Sequence, residues 1–119
     1  MTDLLLDVNL QHVPDQYLNG TWQVAERVLS LADPATALAR ATHLQLLPGV
    51  LAVVTPTHRA AGHWSVNRDA LLSRPYLKLQ PPDEDATALV TRLRRSADGQ
   101  NSALTLYFQT GMELHLVQS

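Results

Sequence analysis

Short runs in which apolar and polar residues alternate recur along most of the chain, and they predict β-strands. In residues 21–29, Trp22, Val24 and Val28 share one face with Glu26, while polar residues occupy most of the other face. Alternation with a period of two is typical of a strand that packs one face on a core. Further predicted strands cover residues 43–47, 50–54, 62–67, 76–80, 88–95, 104–108 and 112–116.

Turn signals separate these runs. Pro48-Gly49 suits a type II turn, because proline fixes φ and glycine accepts a positive φ. Residues 97–101 form a second predicted turn, and Thr110-Gly111 joins the last hairpin. The phase of the strands gives an inward-facing set: Trp22, Val24, Val28, Leu44, Leu46, Leu51, Val53, Trp64, Val66, Leu77, Leu79, Leu89, Leu93, Leu104, Leu106, Phe108, Met112, Leu114 and Leu116.

The N-terminal part of the chain is less regular. Residues 3–11 alternate and predict an initial strand, with a short helix as the alternative because Leu5 blurs the pattern. Residues 14–18 predict a turn of helix that Pro14 begins. Residues 33–40 predict a short helix that serves as a connector outside the core, because the segment carries few large apolar groups.

Eight or nine short strands joined by tight turns, with almost no helix, favour an all-β fold. Because consecutive strands are so closely joined, we predict an antiparallel up-and-down barrel of about eight strands with short helical turns. We expect residues 1–119 to form a single domain, with residues 1–13 as an N-terminal strand or extension.

Gly20-Thr21-Trp22, preceded by the turn at residues 14–18, resembles the lipocalin-like families of the calycin group, in their compact bacterial form. The second unit at residues 62–66 and the closing hairpin strengthen the resemblance. The resemblance implies an eight-stranded barrel in which Trp22 plugs the closed end. It also implies that the opposite mouth admits a small apolar ligand.

Composition narrows the function classes. The chain has 119 residues, a formal net charge of −2 and no cysteine, so neither a basic nucleic-acid-binding face nor a disulfide framework is expected. No apolar run reaches the length of about 18 residues that a membrane helix requires, and the N-terminus lacks the pattern of a signal peptide. We therefore expect a cytoplasmic protein that binds neither nucleic acid nor membrane.

Catalytic signatures are missing from the sequence. It contains no Gly-x-Ser-x-Gly elbow and no glycine-rich phosphate loop, and its five histidines show no metal-ligand spacing. The acids of residues 83–85 follow two prolines, which favours a solvated loop. We expect neither an enzyme nor a cofactor nor a metal site.

Two polar residues fall on inward positions of this phasing. Glu26 is in phase with Trp22, and Thr91 lies between Leu89 and Leu93. An ionised carboxylate inside a barrel is costly unless it is paired or hydrated. Either Glu26 anchors the polar group of a ligand, or it has reached the rim, or a bulge re-phases the strand. The predicted ligand-binding set is Glu26, Trp64, Thr91 and Phe108.

The predicted outer face offers an alternative function. It carries apolar or amphipathic residues at several positions, and a contiguous group of them would indicate a partner surface. We therefore consider two non-enzymatic functions, which are binding a small hydrophobic ligand inside the barrel and acting through the outer face, for instance as a homodimer. The outward residues are Leu47, Tyr76, Val90, Tyr107 and Val117.

Overall fold

A computed structural model describes residues 5–28, 36–71, 74–82 and 84–118. Within these ranges the chain forms nine β-strands, one short α-helix and two 3-10 turns. The 3-10 turns are Leu10–His12 and Asp15–Leu18, and the helix, α1, is Ala37–Arg40. The strands are β1 (Leu5–Asp7), β2 (Gly20–Val28), β3 (His43–Leu47), β4 (Val50–Val54), β5 (Arg59–Arg68), β6 (Pro75–Gln80), β7 (Ala86–Ser96), β8 (Ser102–Phe108) and β9 (Glu113–Gln118).

Strands β2 to β9 form a closed barrel. Each strand pairs antiparallel with the next along the chain, and β2 also pairs with β9, which closes the sheet. The prediction of an all-β, antiparallel, up-and-down barrel of eight strands is confirmed. The short strand β1 adds to the far part of β7, where Asp7 lies opposite Arg94.

The N-terminal segment covers one end of the barrel, which we call the Trp22 end. Trp22 is completely buried there, and its indole Nε1 donates a hydrogen bond of 2.9 Å to the carbonyl oxygen of Leu18. Val13 and Leu18 are also buried and belong to the same apolar cluster as Trp22. The predicted helical turn is the 3-10 turn Asp15–Leu18, with Pro14 one position earlier as its N-cap.

The interior of the barrel is filled by side chains from all eight strands. An eight-stranded barrel is just wide enough to be filled in this way or to hold one small ligand. Several inward side chains have no surface accessible to a water-sized probe, so the packing around them resembles that of an ordinary protein core. These fully buried residues include Leu44, Leu46, Leu51, Val53, Leu77, Leu79, Leu93, Leu106 and Leu114.

Two β-bulges change the inward and outward phase that the sequence predicts. One extra residue enters β2 between Val24 and Glu26, and one enters β7 between Val90 and Arg92. A single inserted residue moves the side chains beyond it to the opposite face. The prediction that Val28 and Leu89 face inward is therefore wrong, since each is 47% exposed. The prediction that Val90 faces outward is also wrong, because Val90 is buried.

The predicted strand at residues 3–11 is shorter in the structure. The strand covers only Leu5–Asp7, and a 3-10 turn follows at Leu10–His12, so the helical alternative describes the second half. Residues 3–4 lie outside the described ranges, as do residue 29 of the predicted second strand and residues 33–35 of the predicted helix.

Gly20 begins β2 in a backbone conformation that favours glycine, with φ of +123°. A Cβ atom at this position would lie 2.0 Å from Nε2 of Gln118, the amide that donates to the carbonyl oxygen of Asn19. We expect Gly20→Ala to lower the free energy of unfolding by about 1–3 kcal/mol, because the strained φ remains even when the Gln118 side chain moves away. Urea denaturation measures the change.

Repeating the substitution in a Gln118→Ala background separates the two causes. If the loss on Gly20→Ala persists in that background, the backbone dihedral is responsible. If the loss disappears, the cause is the contact with Gln118, and the dihedral explanation is wrong.

Candidate functional site

The four residues predicted to bind a ligand do not share one surface. Trp64 and Phe108 are buried inside the barrel, and the indole Nε1 of Trp64 donates to the carbonyl oxygen of Leu47 at 2.5 Å. Glu26 and Thr91 are exposed, so their predicted inward orientation is wrong. Each lies at one of the two bulges, which is the third alternative considered for Glu26. Ligand contact by Trp64 and Phe108 stays a prediction.

Helix α1 covers the end of the barrel opposite Trp22, which we call the α1 end. Leu38, Ala39 and Ala41 are buried there and belong to the main apolar cluster. The prediction that this segment is a connector outside the core is therefore wrong. Thr36 caps the helix by accepting a hydrogen bond from the amide of Ala39 at 3.3 Å.

Arg27 also lies at this end. The alternation in the sequence puts it on the face opposite Trp22, and this prediction is wrong. The bulge in β2 puts Arg27 opposite the buried Leu114, so its side chain starts on the inner face of the sheet. Its guanidinium donates from Nη1 to the carbonyl oxygen of Ala39 and from Nη2 to that of Ala41, the latter at 2.6 Å. Arg27 thus ties β2 to the last residues of α1.

The guanidinium of Arg27 has carbonyl partners and no carboxylate partner among the residues that the structure describes. Its side chain is half-buried, and an arginine keeps its charge at any ordinary pH. A partly buried cation that is satisfied only by neutral carbonyls retains attraction for an anion. Alternation alone could not find this residue, because nothing in the sequence marks the bulge.

Further hydrogen bonds hold the segment around α1 against the barrel. The amide of Leu38 donates to Oε1 of Glu84 at 3.4 Å. Beyond the helix, Thr42 accepts from the amide of Val24 at 2.8 Å and donates its own amide to Val54 at 2.7 Å. The chain after α1 is therefore fixed to β2 and β4. The helix itself is held by Arg27, Glu84 and the buried Leu38.

An open cleft of about 410 Å³ lies at the Trp22 end, between β1 and the β7–β8 turn. Arg95 stacks over the ring of Tyr17, 3.7 Å from its centroid, and donates to the carbonyl oxygen of Gly99 at 3.2 Å. Its Nε is buried and has no hydrogen-bond partner among the described residues. None of the four predicted ligand-binding residues lines this cleft. The cleft is lined by Leu6, Asp7, Val8, Tyr17, Arg95, Ser96, Ala97, Asp98 and Gly99.

Asp98 fixes the turn beside this cleft. Its carboxylate accepts a hydrogen bond from the hydroxyl of the buried Ser96 and one from the amide of Gln100 at 3.0 Å. These donors stabilise the ionised form and lower the pKa of Asp98 below its ordinary value. On β1, a hydrogen bond from Arg92 lowers the pKa of Asp7 in the same way.

The described residues offer no further site of the kinds considered from the sequence. Across residues 5–28, 36–71, 74–82 and 84–118, no three acidic or histidine side chains are grouped to hold a metal ion. In the same ranges, no helix is long and apolar enough to cross a membrane. His115 lies 3.3 Å from the carboxylate of Glu113, its neighbour on the outer face of β9.

The fold and the covered ends define the class as an all-antiparallel, closed eight-stranded barrel, a geometry compatible with a calycin-like fold. Comparison of the chain with protein-family models, curated proteins and solved structures found no match.

The stability that Asp98 contributes should depend on pH. Because its pKa is lower in the folded protein than in the unfolded chain, the contribution is complete above the ordinary value of 3.8 and is lost as the pH falls through the lowered value. We expect Asp98→Asn to lower the free energy of unfolding at pH 7 and to have a smaller effect at pH values well below 3.8. Urea denaturation across this range measures the difference.

A Ser96→Ala background is the control, because it removes the principal donor to the carboxylate. In that background Asp98→Asn should have less effect at pH 7. An effect of equal size at both pH values would contradict the assignment to the ionised carboxylate.

Proposed function

We propose that this protein binds a small hydrophobic ligand inside its barrel without catalysing a reaction, and that the ligand enters at the α1 end. The observation that carries the proposal is the difference between the two ends. Trp22, Val13 and Leu18 pack together at one end, whereas Leu38 is the single large side chain that α1 contributes to the core at the other. The α1 end is the one that a ligand can uncover at lower cost.

A ligand would take the place of Leu38, because the inward side chains around it leave no free space. Burying a leucine stabilises the closed form by about 1.5–3 kcal/mol, and a hydrogen bond from a charged donor contributes about 1.5–3 kcal/mol. Opening therefore costs several kcal/mol, and each 1.4 kcal/mol or so lowers the apparent affinity about tenfold. The ligands that fit this arrangement bind with modest affinity.

The fluorescence of the buried tryptophans provides a test with 1-decanol as the probe. We expect a saturable change in the wild-type protein, because the alkyl chain replaces Leu38 in the apolar cluster to which Trp22 and Trp64 also belong. Leu38→Ala should bind decanol more tightly, because it lowers the cost of opening and enlarges the space under α1. Titration to the solubility limit of decanol measures both.

Leu18→Ala is the matched control, since Leu18 is an equally buried leucine at the opposite end. It also leaves a cavity, but we expect it to leave decanol binding unchanged. A wild-type protein that gives no saturable response would contradict the proposal. So would a Leu18→Ala variant that gains affinity as much as Leu38→Ala.

A second candidate function is self-association through the outer face, and one observation favours it. The exposed Leu89 and Tyr107 pair with each other on neighbouring strands, and the half-buried Tyr76 pairs with Leu89 on the other side. Glu113 links Tyr107 to Val28 at the other end of the row. Five strands about 4.8 Å apart make this row about 19 Å long. A stable interface buries about 800 Å² on each partner, which is more than this row alone provides. The row would therefore form the centre of a larger interface.

Sedimentation velocity over a range of protein concentrations tests this candidate. We expect a concentration-dependent dimer that Leu89→Lys abolishes, because the substitution places a charge between the two tyrosines of the row. Leu47→Lys is the matched control, since Leu47 is also 47% exposed but lies outside the row, on β3. A wild-type protein that stays monomeric throughout would contradict self-association.

A further inference from the structure

We propose that the cleft at the Trp22 end binds a small zwitterion, a free α-amino acid with an aliphatic side chain. Arg95 takes the carboxylate of this ligand, and Asp98 takes its ammonium group. The observation behind the proposal is that these two side chains of opposite charge line one cleft and form no ion pair with each other. The cleft lies at the end opposite α1, so the inference is independent of the proposed function.

Most of the N–H donors of Arg95 have no acceptor. Every nitrogen of a guanidinium carries at least one donor. Nη2 donates to the carbonyl oxygen of Gly99 at 3.2 Å, whereas Nη1 makes no hydrogen bond within the part of the chain that the structure describes. Nε is buried and also lacks a partner there, which is costly for a polar group. A carboxylate would supply two acceptors in the planar arrangement that the guanidinium fork matches.

Tyr17 and Gly99 hold this guanidinium in place. Its Cζ atom lies 3.7 Å from the centroid of the Tyr17 ring, so the ring covers one face of the group. Gly99 permits the close approach of Nη2, because a Cβ atom at this position would lie 2.9 Å from that nitrogen. The guanidinium is therefore ordered before a ligand binds, which lowers the entropic cost of binding.

Asp98 has one carboxylate oxygen that is not engaged. The hydroxyl of Ser96 and the amide of Gln100 both donate to Oδ1, whereas Oδ2 accepts no hydrogen bond from the described residues. The two donors lower the pKa of Asp98, so the carboxylate is ionised at neutral pH. No described cation forms an ion pair with it. An ammonium group, which has donors and no acceptor, complements Oδ2.

The other charged side chain that lines the cleft already has a partner. Both carboxylate oxygens of Asp7 accept hydrogen bonds from Arg92, one from Nε at 2.9 Å and one from Nη2 at 3.4 Å. Asp7 therefore does not compete for the ammonium group of a ligand. A simple anion on Arg95 would bring its charge towards Asp98 without a cation to compensate, and a simple amine would do the same towards Arg95. A zwitterion avoids both costs.

Strand β1 gives the cleft an apolar wall. Leu6 lies opposite Arg95 in the strand register and is 53% exposed, and Val8 lines the same cleft. An aliphatic side chain packed on Leu6 would remove apolar surface of both groups from water. The volume of about 410 Å³ falls within the range of about 300–1,000 Å³ that is usual for small-molecule sites. The arrangement therefore favours an amino acid such as leucine.

The experiment compares leucine with two analogues that keep its branched carbon chain. The first, 4-methylpentanoate, lacks the ammonium group, and the second, 3-methylbutylamine, lacks the carboxylate. Binding at pH 7 is followed by the amide resonances of Gly99 and Gln100 and by the side-chain Nε–H resonance of Arg95. We expect a saturable shift with leucine in the millimolar range and about tenfold weaker binding of each analogue, because each loses one charge-assisted interaction.

Two variants assign the charges to their residues. Asp98→Asn should remove the preference for leucine over 4-methylpentanoate, and Arg95→Gln should remove the preference for leucine over 3-methylbutylamine. Arg94→Gln is the matched control, because Arg94 is the neighbouring arginine on β7 and does not line the cleft. We expect it to keep both preferences. The comparison of the three ligands uses the wild-type protein, so it tests the proposal even if Arg95→Gln unfolds.

The outcomes are distinct from those of the decanol experiment, which reports on the α1 end. A wild-type protein without a saturable shift on addition of leucine would overturn the proposal and leave the hydrophobic site unaffected. Equal binding of leucine and either analogue would also overturn it, since one of the two charges would then contribute nothing. An equal loss of both preferences in Arg94→Gln would indicate general electrostatic attraction instead of this site. Preferences that change only in the Arg95 and Asp98 variants support it.

Discussion

The pairing of β2 with β9 is the constraint on which the rest of the structure depends. It closes the sheet, so the eight barrel strands form one continuous ring and one side of the sheet becomes an interior. Closure also creates two open ends, and each must be covered by chain that is not itself part of the barrel. The N-terminal segment covers one end with Val13 and Leu18, which belong to the same apolar cluster as Trp22, and α1 contributes Leu38 at the other.

Much of the barrel can be predicted from the sequence, because a half-buried strand has an apolar residue at every second position. The runs from β3 to β6 and the final hairpin carry this signal, and the turns between them contain the residues that their geometry requires. Pro48-Gly49 and Gly111 are such cases, with both glycines at positive φ. Where a strand is regular, as in β8, alternate residues from Leu104 to Phe108 are buried as predicted.

The candidate site could not be predicted in the same way, because the two residues whose orientation was mispredicted, Glu26 and Thr91, lie at the two bulges. A bulge adds one residue to a strand and leaves no signal in hydrophobic alternation when the inserted residue is as small or as neutral as Ala25 or Thr91. Beyond Ala25 the phase of β2 reverses, so Glu26 turns to solvent and Arg27 to the inner face. The helix propensity of residues 36–40 was visible, but its burial depends on the closed barrel beneath it.

The bulge in β2 and the cover at the α1 end are physically linked. A guanidinium directed inward is costly unless its donors find acceptors, and the acceptors here are the carbonyl oxygens of Ala39 and Ala41. Those carbonyls lie at and just beyond the end of a four-residue helix, where backbone oxygens lack partners within the helix. Arg27 and the end of α1 therefore satisfy each other's hydrogen-bonding groups. Any movement of α1 away from β2 therefore leaves the donors of Arg27 without these acceptors.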